Sequence, residues 1–117
     1  MRQTVLIVDD HAEFRSLARA LLEADGFEVL GEAADGESAL AAAARLLPEL
    51  VLLDIQLPDL DGFEVAARLA KAADPPAVVL TSSRSASSYR RRLAESPASG
   101  FISKGELSGE ALAALVS

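Results

Sequence analysis

Three short apolar runs constrain the fold of this chain more than any other feature. Residues 5–8, 50–53 and 77–80 carry only aliphatic or alanine side chains, and a polar residue follows each run directly. A strand that is apolar at every position must be covered on both faces, which is typical of a parallel sheet. The runs therefore predict a parallel sheet with helices packed on its two sides.

Helical patterns and turn signals fill the segments between these runs. Apolar residues recur at helical spacing from Phe14 to Leu22, and Asp25-Gly26 ends that helix. The more polar segment 28–32 predicts a strand at the sheet edge. The remaining predictions are helices at 37–47, 63–72, 86–95 and 109–116, with prolines closing the first two, and a strand at 100–103. Five strands alternating with five helices predict a doubly wound α/β sheet in the order 2-1-3-4-5.

Size and charge narrow the class of protein. The 117 residues suit one domain over residues 1–117, and the absence of cysteine excludes disulfides and thiolate metal sites. The first apolar run is too short for a signal peptide, and no run approaches the roughly 20 residues that span a bilayer. A net charge of −7 disfavours direct binding of nucleic acid, because contacts to phosphate dominate that affinity. We therefore expect a cytoplasmic domain that touches neither membrane nor nucleic acid.

The polar residues at the strand ends indicate the chemistry. Open α/β sheets bind ligands at the carboxyl ends of their strands. In the predicted order this edge gathers acids, hydroxyls and one amine: Asp9, Asp10, Asp54, Thr81, Ser82 and Lys104. Three carboxylates resist ionisation together unless a cation neutralises them, and hard oxygen ligands favour Mg²⁺. A carboxylate can attack a phosphoryl group, and the central Asp54 is the candidate, with Lys104 and a hydroxyl to hold the phosphate.

Together these residues resemble the receiver domain of two-component response regulators, of which the chemotaxis regulators are an example. The resemblance covers essentially the whole chain and depends on three motifs in order. They are Val8-Asp9-Asp10, residues 52–62, and Gly100-Phe101-Ile102-Ser103-Lys104. The resemblance implies a flavodoxin-like fold and a switch that a sensor histidine kinase phosphorylates, rather than an enzyme.

The resemblance also implies which residues hold the phosphoryl group and the metal. Asp54 would be the phosphoacceptor. Mg²⁺ would be bound by Asp54, Asp10 and the backbone carbonyl of Gln56, and by Asp9 either directly or through water.

A hydroxyl, an amine and an aromatic ring would then report the phosphate. Lys104 would hold it, and Phe101 would be the aromatic switch. Either Ser82 or Thr81 would supply the hydroxyl. We favour Ser82 because it stands 28 residues after Asp54 and 22 before Lys104, a common spacing in this family.

Smaller features suggest an output. Gly105-Glu106-Leu107 and His11 resemble the branch of the family whose receivers precede a helix-turn-helix domain, which implies control of transcription. The family's switched surface is formed by helix 4, strand 5 and helix 5, where it meets an effector or forms a homodimer. Residues 90–92 are three arginines on that side, for which an exposed helix face is the simpler interpretation. His11 is expected to be a partly exposed neighbour of the site.

Two other functions fit parts of the pattern. Phosphatases of the haloacid dehalogenase type also use a strand-end Asp and Mg²⁺. They carry a second Asp two residues later as the acid/base, where this chain has Gln56, which cannot transfer the proton. A flavin-binding domain of the same topology is disfavoured, because Asp9 and Asp10 would repel the anionic phosphate of FMN.

Overall fold

Five parallel strands and five helices alternate along the chain. The computed structural model describes residues 3–116, so residues 1, 2 and 117 of the predicted domain lie outside the described residues. The strands are β1 (Thr4–Val8), β2 (Glu28–Ala33), β3 (Leu50–Asp54), β4 (Ala77–Ser82) and β5 (Gly100–Ser103). The helices are α1 (Ala12–Ala24), α2 (Gly36–Leu46), α3 (Gly62–Leu69), α4 (Arg90–Glu95) and α5 (Gly109–Val116). The strands form one sheet in the order β2-β1-β3-β4-β5, which confirms the predicted topology.

Two apolar cores lie on the two faces of this sheet. Successive side chains of a strand point to opposite faces, so Val51 and Leu53 enter one core while Leu50 and Leu52 enter the other. The first core is covered by α2, α3 and α4, and the second by α1 and α5. All five residues of β3 are buried, as a central strand covered on both faces requires. The site residues that follow such strands therefore start from a rigid base.

The burial of the edge strand and of the first helix agrees with the apolar pattern of the sequence except at one residue. Strand β2 lies at the edge, as its polar sequence predicted, and pairs only with β1. Helix α1 buries Ala18 and Leu22 against the second core. Leu17 shares their helical spacing but remains 54% exposed. Its position on the margin of the apolar stripe leaves it beyond the reach of the sheet.

Three helix ends differ from the sequence prediction. Helix α2 stops at Leu46, because Pro48 disfavours helical geometry at Leu47, which takes a left-handed conformation with φ 51°. Helix α3 stops at Leu69, and residues 70–72 continue only as tight turns before the chain extends into Pro75-Pro76. The segment predicted as helix 4 begins as a 3₁₀ turn over Ala86–Tyr89, and only Arg90–Glu95 is α-helical. Its two serines, Ser87 and Ser88, are poor helix formers, because their hydroxyls compete for backbone groups.

Hydrogen bonds hold the loop between Asp54 and α3 in one position. The Asp59 carboxylate accepts from Gly36 N at 2.7 Å and Glu37 N at 2.9 Å, so it covers the N-terminus of α2. These bonds hold the pKa of Asp59 below its usual value. Gly62 N donates to Ile55 O at 2.8 Å and closes the loop on itself. The loop that follows the central carboxylate is therefore fixed at both ends.

No helix within residues 3–116 combines the length and the apolar character that a bilayer crossing requires.

We expect Gly62→Ala to destabilise the fold. A Cβ on Gly62 would lie 2.7 Å from Ile55 Cα and closer still to the Asp54 backbone oxygen, so the backbone itself must shift. The cost should be about 1–3 kcal/mol, as for other overpacked sites. Urea unfolding measures it. Gly105→Ala is the matched control, because a Cβ there meets nothing within 4 Å. Equal stability of the two variants would contradict this account of the loop.

Candidate functional site

Three strand-end carboxylates converge at the carboxyl edge of the sheet, as predicted. Asp9 and Asp54 follow or end the central strands β1 and β3 and are 0% and 2% exposed. Asp10 is exposed beside them. Oxygen atoms of the three carboxylates and a ring nitrogen of His11 all lie within 4.8 Å of one another. The group is close enough for one metal ion to contact all its members.

Lys104 neutralises part of this negative charge. Its Nζ lies 2.6 Å from Asp9 Oδ2 and 3.4 Å from Asp54 Oδ2. Burial alone would lower the pKa of Lys104, but the two carboxylates outweigh that effect and raise it. Nζ also lies 4.6 Å from the centroid of the Phe14 ring, a cation–π contact that the sequence analysis missed. Lys104 therefore remains charged and is held between the two buried acids.

Asp54 is the less neutralised of the two buried acids. Burial and the neighbouring charge of Asp9 raise the pKa of Asp54 to about 6, against hydrogen bonds from Gln56 N and Lys104. Gln56 N donates to Asp54 Oδ1 at 3.1 Å. This contact uses the amide of Gln56, so the metal-binding role of its carbonyl stays a prediction. An added cation would stabilise the ionised form of a carboxylate in such surroundings.

The donor set fits a hard divalent cation. Asp9 Oδ2 is buried, and Lys104 Nζ meets it at 2.6 Å. The remaining donors are carboxylate oxygens, which suit Mg²⁺. Arg15 Nη1 donates to the Asp9 backbone oxygen at 2.6 Å and steadies the β1 end. No sequence signal singled out Arg15, because it belongs to the polar pattern of α1.

His11 lies at the rim of the cluster. Its Nδ1 is 3.1 Å from Asp9 Oδ1 and 3.0 Å from Asp10 Oδ1, while its side chain is 68% exposed. The structure therefore places it beside the site and in solvent, as expected from the sequence. Imidazole nitrogen suits transition metals better than Mg²⁺. The three acids remain the ligands that a magnesium site would use.

The two candidate hydroxyls are both buried but point into different surroundings. Thr81 Oγ1 has no hydrogen-bond partner among residues 3–116. Ser82 Oγ accepts from Arg84 N at 3.1 Å and lies 3.1 Å from Tyr89 Oη. Phe101 is half-buried, with its ring centroid 6.3 Å from that of Tyr89. Which hydroxyl acts with the phosphate stays a prediction.

The arginine run is mostly a solvated face. Arg90 and Arg91 are exposed. Arg92 Nη2 lies 2.6 Å from Asp61 Oδ2. Asp61 also caps α3, because its Oδ1 accepts a hydrogen bond from Glu64 N at 2.9 Å. Burial alone would raise the pKa of Asp61, but Arg92 and the backbone donors outweigh that effect and lower it. The pair links α4 to the start of α3.

The chain is similar to known proteins over almost its whole length. Residues 5–116 match the model of the family described as the response regulator receiver domain. The chain is 43% identical over 106 residues to BvgA, a positive transcription regulator of virulence factors from Bordetella pertussis, covering 91% of this chain and 51% of BvgA. It is 45% identical over 106 residues to a protein-glutamate methylesterase/protein-glutamine glutaminase of Anaeromyxobacter dehalogenans, covering 90% and 30%.

A solved structure has the same fold. The receiver domain of the response regulator NarL from Mycobacterium tuberculosis superposes with a TM-score of 0.86 at 33% identity, covering 98% of this chain and 94% of that one. The chain spans about half the length of BvgA and less of the methylesterase. The similarity therefore concerns one region of those longer proteins.

We expect Asp54→Asn to stabilise the fold at neutral pH without divalent cations. The pKa of Asp54 is about 6 in the folded chain against 3.8 for an ordinary aspartate, so the folded state keeps a proton that the unfolded chain loses between these two pH values. Wild-type stability therefore falls as pH rises through this window. The gain should be about 3 kcal/mol at pH 7 and should largely vanish near pH 4.

Urea unfolding in the presence of a chelator measures this gain. Millimolar Mg²⁺ should raise the free energy of unfolding of the wild type and leave that of the variant unchanged, because only the intact acid cluster binds the ion. Asp74→Asn, an exposed carboxylate, is the matched control and should change nothing. Stability of Asp54→Asn at or below wild type at pH 7 would contradict the electrostatic account.

Proposed function

The chain belongs to the response regulator receiver domain family, and from this membership we propose that Asp54 accepts a phosphoryl group in a Mg²⁺-dependent reaction. The family suggested by the motifs is thereby confirmed, and the relatives include transcription regulators. The supporting observation is the buried Asp54 carboxylate beside Asp9 and within 3.4 Å of Lys104 Nζ. We also propose that residues 1–117 form a single receiver domain.

The residues suggest how the transfer would proceed. An ionised Asp54 oxygen forms a bond to phosphorus as the bond from phosphorus to a histidine nitrogen of a sensor kinase breaks, and that nitrogen keeps the electron pair. A pKa near 6 leaves Asp54 mostly ionised at neutral pH. Lys104 pairs with a phosphate oxygen. Mg²⁺, held by Asp9, Asp10, Asp54 and the Gln56 carbonyl, would offset the charge of the incoming group.

Phosphorylation would then shift the domain between two packings. The new dianion attracts Lys104 and the Ser82 hydroxyl. Movement of that hydroxyl gives Phe101 space to turn inward. The surface of α4, β5 and α5 changes as a result, which is a population shift driven by local charge.

The surroundings of the site suggest the wider role. A sensor histidine kinase is the phosphodonor, and the α4–β5–α5 surface meets an effector or a second copy of the domain. The output is transcription through another region, because a domain with a net charge of −7 disfavours DNA. We place this activity in the cytoplasm, away from membranes. The domain is a switch rather than an enzyme, since Gln56 replaces the acid/base of a phosphatase.

We expect a small phosphodonor such as acetyl phosphate to label the wild type only with Mg²⁺. Asp54→Asn should abolish labelling because it removes the nucleophilic oxygen while keeping the shape of the side chain. Mass spectrometry of the intact chain measures the added phosphoryl group. Asp74→Asn should label like the wild type. Labelling of Asp54→Asn, or steady turnover of a phosphomonoester that depends on Asp54, would overturn the proposal.

We expect Ser82→Ala, but not Thr81→Ala, to uncouple phosphorylation from the switch. Ser82 lies on the same face of β4 as Leu80, toward the core that contains Phe101, so its loss removes a hydroxyl on that side of the sheet. Amide NMR shifts of α4 on phosphorylation measure the response. Ser82→Ala should still be labelled but show little change in α4. If only Thr81→Ala silences α4, Thr81 is the switch hydroxyl instead.

A further inference from the structure

A single tyrosine joins the Ser82 hydroxyl to the start of α4. Tyr89 is the last residue of the 3₁₀ turn and immediately precedes Arg90. Its Oη lies 3.1 Å from Ser82 Oγ, and Arg84 N donates to the same oxygen at 3.1 Å. Ser82 is fully buried, so these two bonds fix the direction of its side chain. Neither bond involves Asp54.

The ring of Tyr89 lies between two other rings, and we call Phe63, Tyr89 and Phe101 the aromatic row. Ring centroids are 6.0 Å apart for Phe63 and Tyr89 and 6.3 Å apart for Tyr89 and Phe101, with tilts of 55° and 48°. The Arg92 guanidinium lies 4.2 Å from the Phe63 centroid. The row therefore connects α3, the start of α4 and β5 through close packing, and its middle ring cannot move alone.

A serine hydroxyl has one proton and a few staggered directions. A phosphoryl group on Asp54 would be a stronger acceptor for this proton than the neutral Tyr89 hydroxyl, and it would draw Ser82 Oγ away from Tyr89. Phe101 carries no hydroxyl and cannot compete for Ser82. Tyr89 alone in the aromatic row can hold the serine back.

We propose that Tyr89 is a positioning residue that holds Ser82 in the resting direction and transmits its departure to α4. This inference rests on the proposed roles of Asp54 and Ser82. When Ser82 turns toward the phosphate, the Tyr89 hydroxyl loses its partner, and the aromatic row is free to repack around Phe101. The resting state is then stabilised by a contact that phosphorylation must break.

Tyr89→Phe tests the hydroxyl while keeping the ring. Beryllium trifluoride, a stable phosphoryl mimic, is titrated with Mg²⁺ and followed by ¹⁹F NMR. Affinity should rise about two- to tenfold over wild type, the size expected for one ordinary hydrogen bond lost from the resting state. Ser88→Ala, its exposed neighbour, should leave the affinity unchanged. Unchanged or weaker binding by Tyr89→Phe would overturn the inference.

The double variant separates positioning from general destabilisation. In a Ser82→Ala background the Tyr89→Phe substitution should no longer change the affinity, because the bond it removes is already absent. A gain that persists in that background would show that Tyr89 acts without Ser82, and the inference would fail.

The tyrosine also supplies its own spectroscopic signal. The chain has one tyrosine and no tryptophan, so its ultraviolet-excited emission comes from Tyr89. Saturation with beryllium trifluoride and Mg²⁺ should change this emission in wild type but not in Ser82→Ala. Binding seen by ¹⁹F NMR with silent Tyr89 emission would overturn this inference alone. If wild type binds no beryllium trifluoride, the proposed function fails, and this inference fails with it.

Discussion

The ion pairs of Lys104 with Asp9 and Asp54 are the interaction on which the rest of the site depends. Two buried carboxylates in one place repel each other, and removing their shared cation would leave both charges uncompensated. The pairing is unequal, at 2.6 Å to Asp9 and 3.4 Å to Asp54. Asp54 therefore keeps a raised pKa and an unmet demand for positive charge. A cation that arrives there would change the balance, and Lys104, which directly follows β5, is the charge that both acids share.

Two contacts join α4 and the turn before it to segments near the site. Arg92 of α4 pairs with Asp61 at the end of the fixed loop, and Tyr89 contacts Ser82. Helix α4 has only six residues and follows a 3₁₀ turn, so it is too short to be stable by itself. Its position depends on these contacts and on the packing of Leu93 against the first core. An element held in this way is suited to move when the contacts at the site change.

A region similar to this chain occurs in longer proteins of different kinds. BvgA is a transcription regulator and the other relative is a methylesterase. Each contains a region that is similar to this chain, at 43% and 45% identity. The region of similarity covers 51% of BvgA and 30% of the methylesterase, so most of what distinguishes these proteins in length lies outside it.

The sequence by itself determined the topology and the members of the acid cluster. Runs apolar at every position permit only a sheet covered on both faces, and the parallel order then brings Asp9, Asp10 and Asp54 to one edge. Only the tertiary structure decided the contacts between distant elements, such as Ser82 with Tyr89 and Asp59 with the start of α2. Strand periodicity fixes which face a side chain enters. The partner that it meets there depends on how the helices pack across the sheet. No local pattern of residues encodes the distance between two such elements.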